Sequence, residues 1–471
     1  MTTIWWIRRD LRLHDNQALS AALQAGTPVA PVFILDSNLL ASDYVGEKRL
    51  AFLFASLREL DADLARLGSG LIVRRGDPKQ VLGELFTELD AAGIYAEEDY
   101  SPYARQRDAA IERSLPLHLQ QGLTMFPPGT VEKKSGGPYT VYTPFRKSWE
   151  ALAPPARSSL LPAPSRLGSA ADIKAESIPD TPQWPEESDF PAGERAARNR
   201  LMEFTHGDDA PVYAYKDLRN QVARDGTSML SPYLRFGMLS LREAIIHALE
   251  ARQAAPNTKA RQGAQTWLQE LIWRDFFINI LFHFPDVMKH SFREDYRLIR
   301  WRNDNEDFRA WTEGQTGHPI VDAAMRQLLE TGWMHNRARM VVASFLVKDL
   351  LIDWRWGERW FMQQLIDGDP ASNNGGWQWS AGTGTDAAPY FRIFNPALQG
   401  KKHDPQGIYI RRWVPELRGL PDTYLHAPWE TPPAVQKESS VKIGVDYPEP
   451  IVEHSLARER TLDAYSRARK G

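Results

Sequence analysis

The chain has 471 residues, of which 42% are hydrophobic and 25% are charged, and its net charge is −3 at pH 7. This length predicts two or more domains, and the charge gives no overall indication of nucleic-acid binding. Cysteine is absent, which excludes disulfides, thiolate metal sites and cysteine nucleophiles. Because no apolar run reaches membrane-spanning length and the first residues do not resemble a secretory signal, we expect a cytoplasmic protein outside the membrane.

The N-terminal part of the chain alternates between strand-like and helix-like segments, which predicts an α/β fold with a doubly wound parallel sheet. In chain order, a strand at Thr3–Ile7 precedes a helix at Asn16–Ala25, a strand at Pro28–Leu35 a helix at Lys48–Leu67, a strand at Leu71–Arg74 a helix at Pro78–Ala91, and a strand at Gly93–Ala96 a helix at Arg105–Leu115. Ligands of such sheets bind beyond the carboxyl ends of the strands. Asp36 and Glu97–Tyr103 follow strands, so they are candidate pocket residues, although ordinary loop polarity explains them as well. No GxGxxG motif opens the first helix and no phosphate-loop motif occurs.

The middle of the chain differs from both ends. The segment from Pro127 to about Glu194 is rich in Pro, Ser, Gly and Ala and has no lasting periodicity. It is predicted to be a long surface connection with a short helix near Pro144–Leu152. From about Ala196 onward, apolar residues recur at spacings of three and four, which predicts an all-α domain. Its helices are predicted at Leu241–Ala251, Gln265–Phe284, Phe308–Trp311, Ile320–Thr331, Asn336–Leu351 and Glu358–Ile366. The predicted domains are thus residues 1–127, a connector at 128–195, and residues 196–471.

Tryptophan is concentrated in the helical half. The chain has 16 tryptophans, and ten lie between Trp267 and Trp379, so the two halves have different interiors. The segment Asp367–Pro396 (DGDPASNNGGWQWSAGTGTDAAPYFRIFNP) also combines carboxylates, amides, adjacent glycines and tryptophans. Glycine lets backbone approach a ligand closely, amides donate and accept hydrogen bonds, and indoles offer flat faces for stacking. The mixture predicts a site for a flat molecule with polar edges.

One helix of this half, WLQELIWRDFF, carries a candidate nucleic-acid face. Glu270, Trp273, Arg274 and Phe277 have the spacing i, i+3, i+4 and i+7, which places them on one face. In the functional interpretation, Trp273 is a stacking platform, Glu270 a hydrogen-bond partner and Arg274 a phosphate contact. A surface Glu–Arg pair beside a half-buried tryptophan is the structural alternative.

Two further segments have both a structural and a functional interpretation. In HNRARM, Asn336, Arg339 and Met340 share a face and could line a cavity, or the helix is simply amphipathic with solvated arginines. In TSMLSPYLRFG (Thr227–Gly237), the hydroxyl side chains predict a helix N-cap and could also bind phosphate. No HExxH motif, histidine cluster or GxSxG motif supports a metal site or a serine hydrolase.

The segments WWIRRDLRLHDN, WLQELIWRDFF and GHPIVDAAMRQLLETGWMHNRARMVVASFLVKDLLIDWRWGERWF resemble class I cyclobutane-dimer DNA photolyases of the photolyase/cryptochrome family. The resemblance covers essentially the whole chain. It implies an N-terminal α/β antenna domain, a long connector and an all-α C-terminal domain that holds FAD, in agreement with the predicted elements.

The resemblance implies roles in FAD binding for Tyr215, Arg219, Thr227, Ser228, Met229, Leu230, Ser231, Trp267, Arg339, Asp367, Gly368, Asp369 and Asn373. Thr227–Ser231 would bind the diphosphate. Asp367, paired with Arg339, and Asp369 would hold the ribityl-isoalloxazine region. Asn373 would lie at flavin N5, where its amide affects the redox state of the flavin.

Electron transfer and DNA recognition are implied for a second group of residues. Trp301, Trp354 and Trp377 match the three-tryptophan chain that carries electrons from the surface to photoexcited flavin. The dimer-binding cavity would be formed by Glu270, Trp273, Asn336, Met340 and Trp379, with Arg274, Arg337 and Gln399 near the DNA. Reduced FAD would absorb blue light and donate an electron to a pyrimidine dimer flipped out of the DNA. The implied protein is a monomer that acts on double- or single-stranded DNA.

Three alternatives compete with dimer repair. A cryptochrome would be a blue-light signalling photoreceptor, but plant-type cryptochromes tend to have aspartate at the position of Asn373, and many have a long C-terminal tail. A (6-4) photolyase would need histidine in its cavity, where this chain has Asn336 and Met340. A single-strand binding protein could use the tryptophans for stacking alone, which leaves Asn373 and the DGD pattern unexplained.

The family also implies an antenna chromophore. The folate-binding branch has an Asn–Glu pair in the region of Tyr103–Ala104, and this chain lacks that glutamate. The motif EDYSPYARQRD and the pair Leu35–Asp36 are more similar to the deazaflavin-binding branch, which often has glutamate where Ser101 stands here. We therefore expect 8-hydroxy-5-deazaflavin, with methenyltetrahydrofolate as the alternative. The candidate antenna ligands are Asp36, Arg49 and Asp99.

Overall fold

The computed structural model describes residues 2–26, 28–153, 155–168, 173 and 175–470. The chain forms two compact units. The first unit comprises Met1–Lys216, Ser228–Pro285 and Ile366–Ala371, and the second comprises Asp217–Thr227, Asp286–Leu365 and Ser372–Gly471.

A five-stranded parallel sheet organises the first unit. Its strands are β1 (Thr2–Ile7), β2 (Val29–Asp36), β3 (Ile72–Gly76), β4 (Ala91–Glu97) and β5 (Leu117–Gln120), in the order β3-β2-β1-β4-β5. The central strand β1 is buried along its whole length, as expected for a parallel sheet covered by helices. The predicted parallel α/β fold is therefore confirmed. The edge strand β5 was not among the predicted strands because it is short and only partly buried.

The helices up to His283 are α1 (Gln17–Ala25), α2 (Ser37–Leu40), α3 (Glu47–Arg66), α4 (Pro78–Glu88), α5 (Pro102–Glu112), α6 (Tyr142–Glu150), α7 (Glu194–Thr205), α8 (Tyr215–Leu218), α9 (Ser231–Phe236), α10 (Leu241–Ala254) and α11 (Thr258–His283). Helix α11 begins about two turns before the predicted start because Asn257 caps it, accepting from the Ala260 amide at 2.9 Å. Among the residues that the structure describes, no helix combines the length and apolar character needed to cross a bilayer.

The sheet brings polar residues together at its carboxyl edge. Val81 and Leu82 of α4 share a buried apolar cluster with Ile4 of β1 and Ile94 of β4. Because β1, β2 and β4 are parallel neighbours, the residues that follow them emerge at the same edge. The edge therefore carries the charged residues that include Arg8, Arg9, Asp36, Glu98 and Asp99.

The remaining helices are α12 (Asn305–Glu313), α13 (Pro319–Thr331), α14 (Asn336–Ser344), α15 (Trp354–Gln364), α16 (Pro370–Ala381), α17 (Pro396–His403), α18 (Ile408–Trp413), α19 (Asp422–Leu425), α20 (Pro433–Ser439) and α21 (His454–Ala468). Short 3₁₀ helices lie at Arg157–Ser159, Pro211–Ala214, Pro285–Met288, Glu294–Leu298, Pro415–Leu417 and Pro428–Glu430. The predicted helix Asn336–Leu351 ends as α14 at Ser344, and Phe345–Asp349 forms a π-helical turn. The predicted all-α half is confirmed.

The segment after Gly368 is a helix, which its composition did not predict. Helix α16 contains two asparagines and two adjacent glycines (PASNNGGWQWSA), and these residues have low helix propensity. Packing explains its formation, since Trp377 and Gln378 are both 2% exposed. The side chains of this segment therefore have helical spacing.

Candidate functional site

The Asp367–Asp369 turn of the first unit is held by arginines from two other segments. Arg9, two residues after β1, donates from Nη2 to Asp369 Oδ2 at 2.5 Å. Arg235 of α9 donates from Nε to Gly368 O at 2.6 Å. Asp367 and Asp369 are both buried, and burial of a carboxylate is costly unless it is paired or hydrogen-bonded. These contacts fix the turn through a side chain and through the backbone.

Arg9 also contacts a second carboxylate at the carboxyl edge of the sheet. Arg9 Nη1 lies 3.5 Å from Asp99 Oδ2, and Asp99 Oδ1 accepts from the Ser101 amide at 2.9 Å. Burial alone would raise the pKa of Asp99, but the positive charge of Arg9 and the Ser101 amide hold it at about 2. Arg9 therefore links the loop after β4 to the Asp367–Asp369 turn.

Three arginines and three carboxylates meet around this turn, namely Arg9, Arg49 and Arg235 with Asp99, Asp367 and Asp369. Burial lowers the pKa of Arg235 to about 9, and repulsion from Arg9 adds to the effect while Asp369 opposes it. Burial lowers the pKa of Arg49 to about 10, against the attraction of Asp367. Groups whose pKa falls despite nearby carboxylates would be stabilised by further negative charge. Arg49 and Arg235 are thus the cations beside the turn whose charge an anionic ligand would stabilise.

Aromatic side chains predicted to border the flavin contact each other through Phe204. The Phe204 ring lies 5.1 Å from Trp267 and 6.1 Å from Tyr215, both in edge-to-face geometry. Tyr215 and Trp267 are buried. The structure therefore brings these two predicted residues into one aromatic cluster of the first unit.

The predicted face of α11 has mixed surroundings. Glu270 and Trp273 are half-buried. Arg274 donates from Nη1 to Leu123 O at 2.7 Å and from Nη2 to Leu234 O at 3.3 Å. These bonds give the Arg274 guanidinium a structural role inside the first unit, and its contact with DNA stays a prediction.

The hydroxyl-rich segment Thr227–Ser231 does not cap a helix in the predicted way. Helix α9 begins at Ser231, and its N-cap residue is Leu230, which makes no side-chain capping bond. The N-cap interpretation is therefore wrong. Met229 has a φ of +50°, a left-handed conformation that is uncommon for residues other than glycine. This turn displaces the hydroxyl-bearing residues from the capping position.

In the second unit, Asn373 of α16 has a fixed orientation. Its Nδ2 donates to Glu358 O and to Glu358 Oε1, both at 2.9 Å. A primary amide has two N–H donors and one carbonyl oxygen. Because Glu358 takes both donors, Oδ1 is the atom with which Asn373 can meet a ligand.

Two of the three predicted relay tryptophans, Trp354 and Trp377, lie in the core of the second unit. Trp377 is 2% exposed, and its ring lies 6.0 Å from Trp311 and 5.0 Å from Phe361. A Cβ atom at Gly357 would overlap the Trp377 ring, so this glycine lets the indole lie directly against α15. Trp354 begins the same helix and is also buried. Trp354 thus lies about one turn before the glycine of α15 against which Trp377 packs.

Trp301 lies at the margin of this core. It is partly buried and packs against the cluster that contains Trp354 and Trp377. Its ring is edge-on to Tyr465 at 6.1 Å. Two buried indoles and one partly exposed indole in one cluster are consistent with a path from the interior to the surface, and the path itself stays a prediction.

Helix α14 carries a pair of predicted cavity residues. Asn336 Nδ2 lies 4.0 Å from Met340 Sδ, so the two side chains share a face as their spacing predicted. Arg337 donates from Nε and Nη2 to Asn220 Oδ1 at 3.1 and 2.7 Å. Burial and repulsion from Arg219 lower the pKa of Arg337, so a nearby phosphate would stabilise its charge.

The roles of three other residues of the second unit stay predictions. Arg339 donates from Nε to Met334 O at 2.8 Å, and its pairing with Asp367 stays a prediction. Trp379 of α16 and Gln399 of α17 are both half-buried.

Comparison with known proteins identifies the family. The chain matches the DNA photolyase model over residues 3–165 and the model of the FAD binding domain of DNA photolyase over residues 267–467. It is 41% identical to deoxyribodipyrimidine photo-lyase of Escherichia coli over 100% of both chains. It is also 41% identical to deoxyribodipyrimidine photo-lyase of Agrobacterium fabrum, over 99% of this chain and 98% of the relative. The chain belongs to the DNA photolyase family. This confirms the resemblance found in the sequence.

Solved structures of both photolyases and cryptochromes are similar to this photolyase-family protein. A bacterial class III photolyase from Agrobacterium tumefaciens has a TM-score of 0.92 and 39% identity, covering 100% of this chain and 98% of that chain. A Synechocystis sp. PCC6803 cryptochrome has a TM-score of 0.87 and 33% identity, covering 98% of this chain and 99% of that chain. The fold alone therefore does not separate a photolyase from a cryptochrome.

In each unit of this photolyase-family protein, taken by itself, some of the predicted residues fit a flavin. In the first unit, an anionic group such as a diphosphate or a reduced flavin would stabilise the charges of Arg49 and Arg235 beside the Asp367–Asp369 turn. The fixed Oδ1 of Asn373 provides an acceptor for a ring N–H. Gly376 of α16 has open space where a side chain would be, which would let a ligand approach the helix closely.

The candidate antenna residues have internal partners. Asp36 caps α2, accepting from the Asn38 amide at 2.9 Å, and also accepts from the Tyr103 hydroxyl at 2.6 Å. Arg49 donates to the Tyr44 carbonyl. Asp99 is the partner of Arg9 described above. The antenna roles of Asp36, Arg49 and Asp99 stay predictions.

Sequence reasoning missed three residues that orient the candidate site. Arg9 and Arg235 hold the Asp367–Asp369 turn, and Glu358 orients Asn373. Arg9 could have been found, because it follows a strand of a parallel sheet as Asp36 does. Arg235 and Glu358 carry no comparable signal, since both lie in helices among ordinary polar and apolar residues.

Proposed function

We propose that this photolyase-family protein uses blue light and reduced FAD to repair cyclobutane pyrimidine dimers in DNA. Full-length relatives named deoxyribodipyrimidine photo-lyase, at about 40% identity, support the proposal. The observation that carries it is the orientation of Asn373, whose two N–H groups both donate to Glu358. Assignment to class I within the family belongs to the proposal, since one similar structure is described as class III.

The orientation of Asn373 would select a reduced flavin. Nitrogen N5 of reduced FAD carries a hydrogen, whereas N5 of oxidised FAD has only a lone pair. An Asn373 Oδ1 held at N5 would accept a hydrogen bond from the reduced form and repel the lone pair of the oxidised form. Asn373 would therefore keep the cofactor in the form that can donate an electron.

FAD, when bound and reduced, would supply the electron that opens the cyclobutane ring after excitation. In the first unit, Tyr215, Ser228–Ser231, Trp267 and Asp367–Asp369 would bind it, and Arg9 and Arg235 would fix the turn. In the second unit, Arg219, Thr227, Arg339 and Asn373 would contribute. Charge-assisted hydrogen bonds from fixed arginines bind anionic groups strongly.

Damaged DNA would be recognised by stacking and by cationic contacts. Trp273 and Trp379 would stack on the dimer, Glu270 would hydrogen-bond to it, and Asn336 and Met340 would line the same cavity. Arg274, Arg337 and Gln399 would lie near the strand. Extruding a dimer from the duplex costs a few kcal/mol, and less than extruding a paired base, which would provide selectivity. In this proposal the DNA is double- or single-stranded, and the protein acts as a cytoplasmic monomer.

Electrons for reduction of resting FAD would pass through Trp301, Trp354 and Trp377. The antenna would be 8-hydroxy-5-deazaflavin, with methenyltetrahydrofolate as the alternative. The absorbance of chromophore released from protein purified from its native host tests this part. If the released chromophore has the absorbance spectrum of a folate, the deazaflavin assignment is wrong and the antenna is methenyltetrahydrofolate.

A cryptochrome-type signalling photoreceptor is the second candidate function, because a cryptochrome structure has a TM-score of 0.87 to this chain. The reduced holoprotein is illuminated with three oligonucleotides that carry a cyclobutane dimer, a (6-4) photoproduct or no damage. Repair of the cyclobutane dimer alone supports the proposed function. Failure to repair either lesion favours the signalling function, and repair of the (6-4) photoproduct contradicts the lesion assignment.

Replacing Glu358 by leucine should make FAD harder to reduce. The substitution frees one N–H of Asn373, so the amide can turn and lose its orientation toward N5. Loss of one hydrogen bond of about 1 kcal/mol corresponds to a fall in the two-electron midpoint potential of about 20 mV. Spectroelectrochemical titration measures the potential. Glu358→Gln keeps an acceptor for Asn373 and should stay near the wild-type value; equal potentials in all three proteins would contradict the assigned role.

Replacing Gly376 by alanine should have opposite effects on the apoprotein and on cofactor binding. Alanine favours a helix over glycine by about 0.5–1 kcal/mol, and its Cβ would meet nothing within 4 Å, so the apoprotein should unfold at a higher temperature. If FAD lies against α16, its affinity should fall. Gly83→Ala is the matched control, because Gly83 of α4 has the same open space. Unchanged FAD affinity in Gly376→Ala would place the flavin away from this glycine.

A further inference from the structure

The first unit contains a close aromatic stack that involves the connector. Tyr142 begins α6, and its ring lies 3.6 Å from the ring of Trp273, with an angle of 9° between the planes. At this separation the two rings are in van der Waals contact over their faces. Tyr142 therefore covers one face of the indole proposed to stack on the dimer.

Tyr142 is held firmly in this position. It is 7% exposed, and its hydroxyl donates to Gln269 O at 2.6 Å. Gln269 lies one turn before Trp273 on α11, so the phenol is fixed at its hydroxyl end and along its face. The rings of Trp273 and Phe276 also meet edge to face at 5.5 Å, which further restricts the indole plane.

The helix that carries Tyr142 is fixed to α11 at other points. Phe145 packs on Phe276 with ring centroids 5.2 Å apart. The Trp149 indole donates from Nε1 to Asp275 Oδ2 at 3.0 Å. The stack is thus part of a rigid contact between α6 and α11.

We propose that Tyr142 is a positioning residue for damage recognition. It fixes the plane of Trp273 from one face, while the Phe277 ring lies 5.3 Å from the indole at an angle of 32°. The bases of the dimer would stack on the part of this half-buried indole that the two rings leave exposed. A platform that is already ordered loses less conformational entropy when a base stacks on it. Tyr142 thereby raises affinity for the flipped lesion without contacting DNA. This inference rests on the proposed function, in which Trp273 contacts the dimer.

The test measures DNA affinity in the dark with the FAD-loaded protein. Fluorescence anisotropy gives the dissociation constants for one oligonucleotide with a single thymine dimer and for the same sequence without damage. Tyr142→Leu, which removes the aromatic face, should weaken binding of the dimer oligonucleotide about fivefold to tenfold and leave binding of undamaged DNA unchanged. Tyr142→Phe keeps the ring and should retain dimer affinity within about twofold.

Phe145→Leu is the matched control, because Phe145 lies on the same helix and contacts Phe276. It should leave the ratio of the two affinities unchanged, which separates positioning of Trp273 from general loosening of α6. If Tyr142→Leu does not give folded holoprotein, Tyr142→Met replaces it, since methionine fills the space without an aromatic face. The same loss of dimer affinity is expected.

Trp273→Leu separates failure of this inference from failure of the proposed function. Weak dimer binding by Trp273→Leu with wild-type binding by Tyr142→Leu overturns the role of Tyr142 alone. Wild-type dimer binding by both variants overturns the dimer site at Trp273 and the inference together. Equal loss for dimer and undamaged oligonucleotides in Tyr142→Leu also overturns the inference.

Discussion

The substitution Trp377→Phe should lower the rate of photoreduction of oxidised FAD more than about tenfold. This corresponds to an increase of at least about 1.4 kcal/mol in the activation free energy of photoreduction. Trp377 and Trp354 are the two buried tryptophans of the predicted relay. An indole is much easier to oxidise than a phenyl ring, so phenylalanine cannot replace Trp377 as an electron carrier. Repair by enzyme reduced chemically beforehand should be nearly unchanged, because that reaction does not need the relay. Absorbance of oxidised FAD under illumination with an external reductant measures the first rate.

Trp311→Phe is the matched control for this variant. Trp311 is fully buried in the same core and its ring lies 6.0 Å from that of Trp377, so both substitutions remove the same atoms from one cluster. Trp311→Phe should lose similar stability and keep photoreduction. Equal loss of photoreduction in the two variants would show that core packing, and not electron transfer through Trp377, determines the rate.

Methionine in place of Arg9 should reduce the affinity for FAD at least about tenfold. Arg9 lies between Asp369 at 2.5 Å and Asp99 at 3.5 Å. Removing one partner of a buried ion pair typically costs about 3–5 kcal/mol, and here two carboxylates lose their counter-ion. The Asp367–Asp369 turn should lose its fixed geometry. Release of FAD on dilution, followed by the fluorescence of free flavin, measures the affinity.

Arg12→Met provides the comparison for Arg9→Met. Arg12 is also buried, and it forms an ion pair with Glu97 away from the turn. It should destabilise the first unit while the folded fraction keeps its FAD affinity. Arg9→Lys retains the charge and should recover part of the lost affinity. Equal FAD affinity in wild type and Arg9→Met would contradict the role of Arg9 in holding the turn.

The ion pair between Arg9 and Asp99 predicts a pH dependence of the free energy of unfolding. The pKa of Asp99 is held at about 2, below its usual value of about 3.9. A carboxylate with a depressed pKa stabilises the folded state above the unfolded pKa, and this contribution is lost as the pH falls toward the folded pKa. Asp99 therefore contributes stability above about pH 4 that disappears between about pH 4 and pH 2. Asp99→Asn should remove this part of the acid sensitivity.

The fold was predictable where local patterns are strong. Alternation of apolar strands and amphipathic helices predicted β1 to β4 with small errors at their ends, and three-and-four spacing predicted the long helices. Helix α16 was missed because Asn373, Asn374, Gly375 and Gly376 are poor helix formers. Burial of Trp377 against α15 overrides that local preference, and such packing is not visible in a single sequence.

The candidate site was less predictable than the fold, because its geometry depends on contacts between distant segments. Asp369 and its partner Arg9 are separated by 360 residues, and the spacing of neither residue indicates the pair. Stacking of Tyr142 on Trp273 likewise joins the connector to α11. The sequence of the connector indicates only one short helix, and it does not indicate this contact. The residue types in the DGDPASNNGGWQW segment indicated a flat ligand. The residues that orient this segment, Arg9, Arg235 and Glu358, could be identified only from the folded structure.

Dimer loss in the dark and in the light tests the central proposal most directly. Protein with fully reduced FAD is mixed with an oligonucleotide that contains one thymine dimer, and the remaining dimer is quantified after illumination with blue light. We expect complete loss of the dimer in the light, and no loss in the dark or with oxidised FAD in the absence of a reductant. Persistence of the dimer under illumination, with flavin reduced throughout and DNA bound, would contradict it.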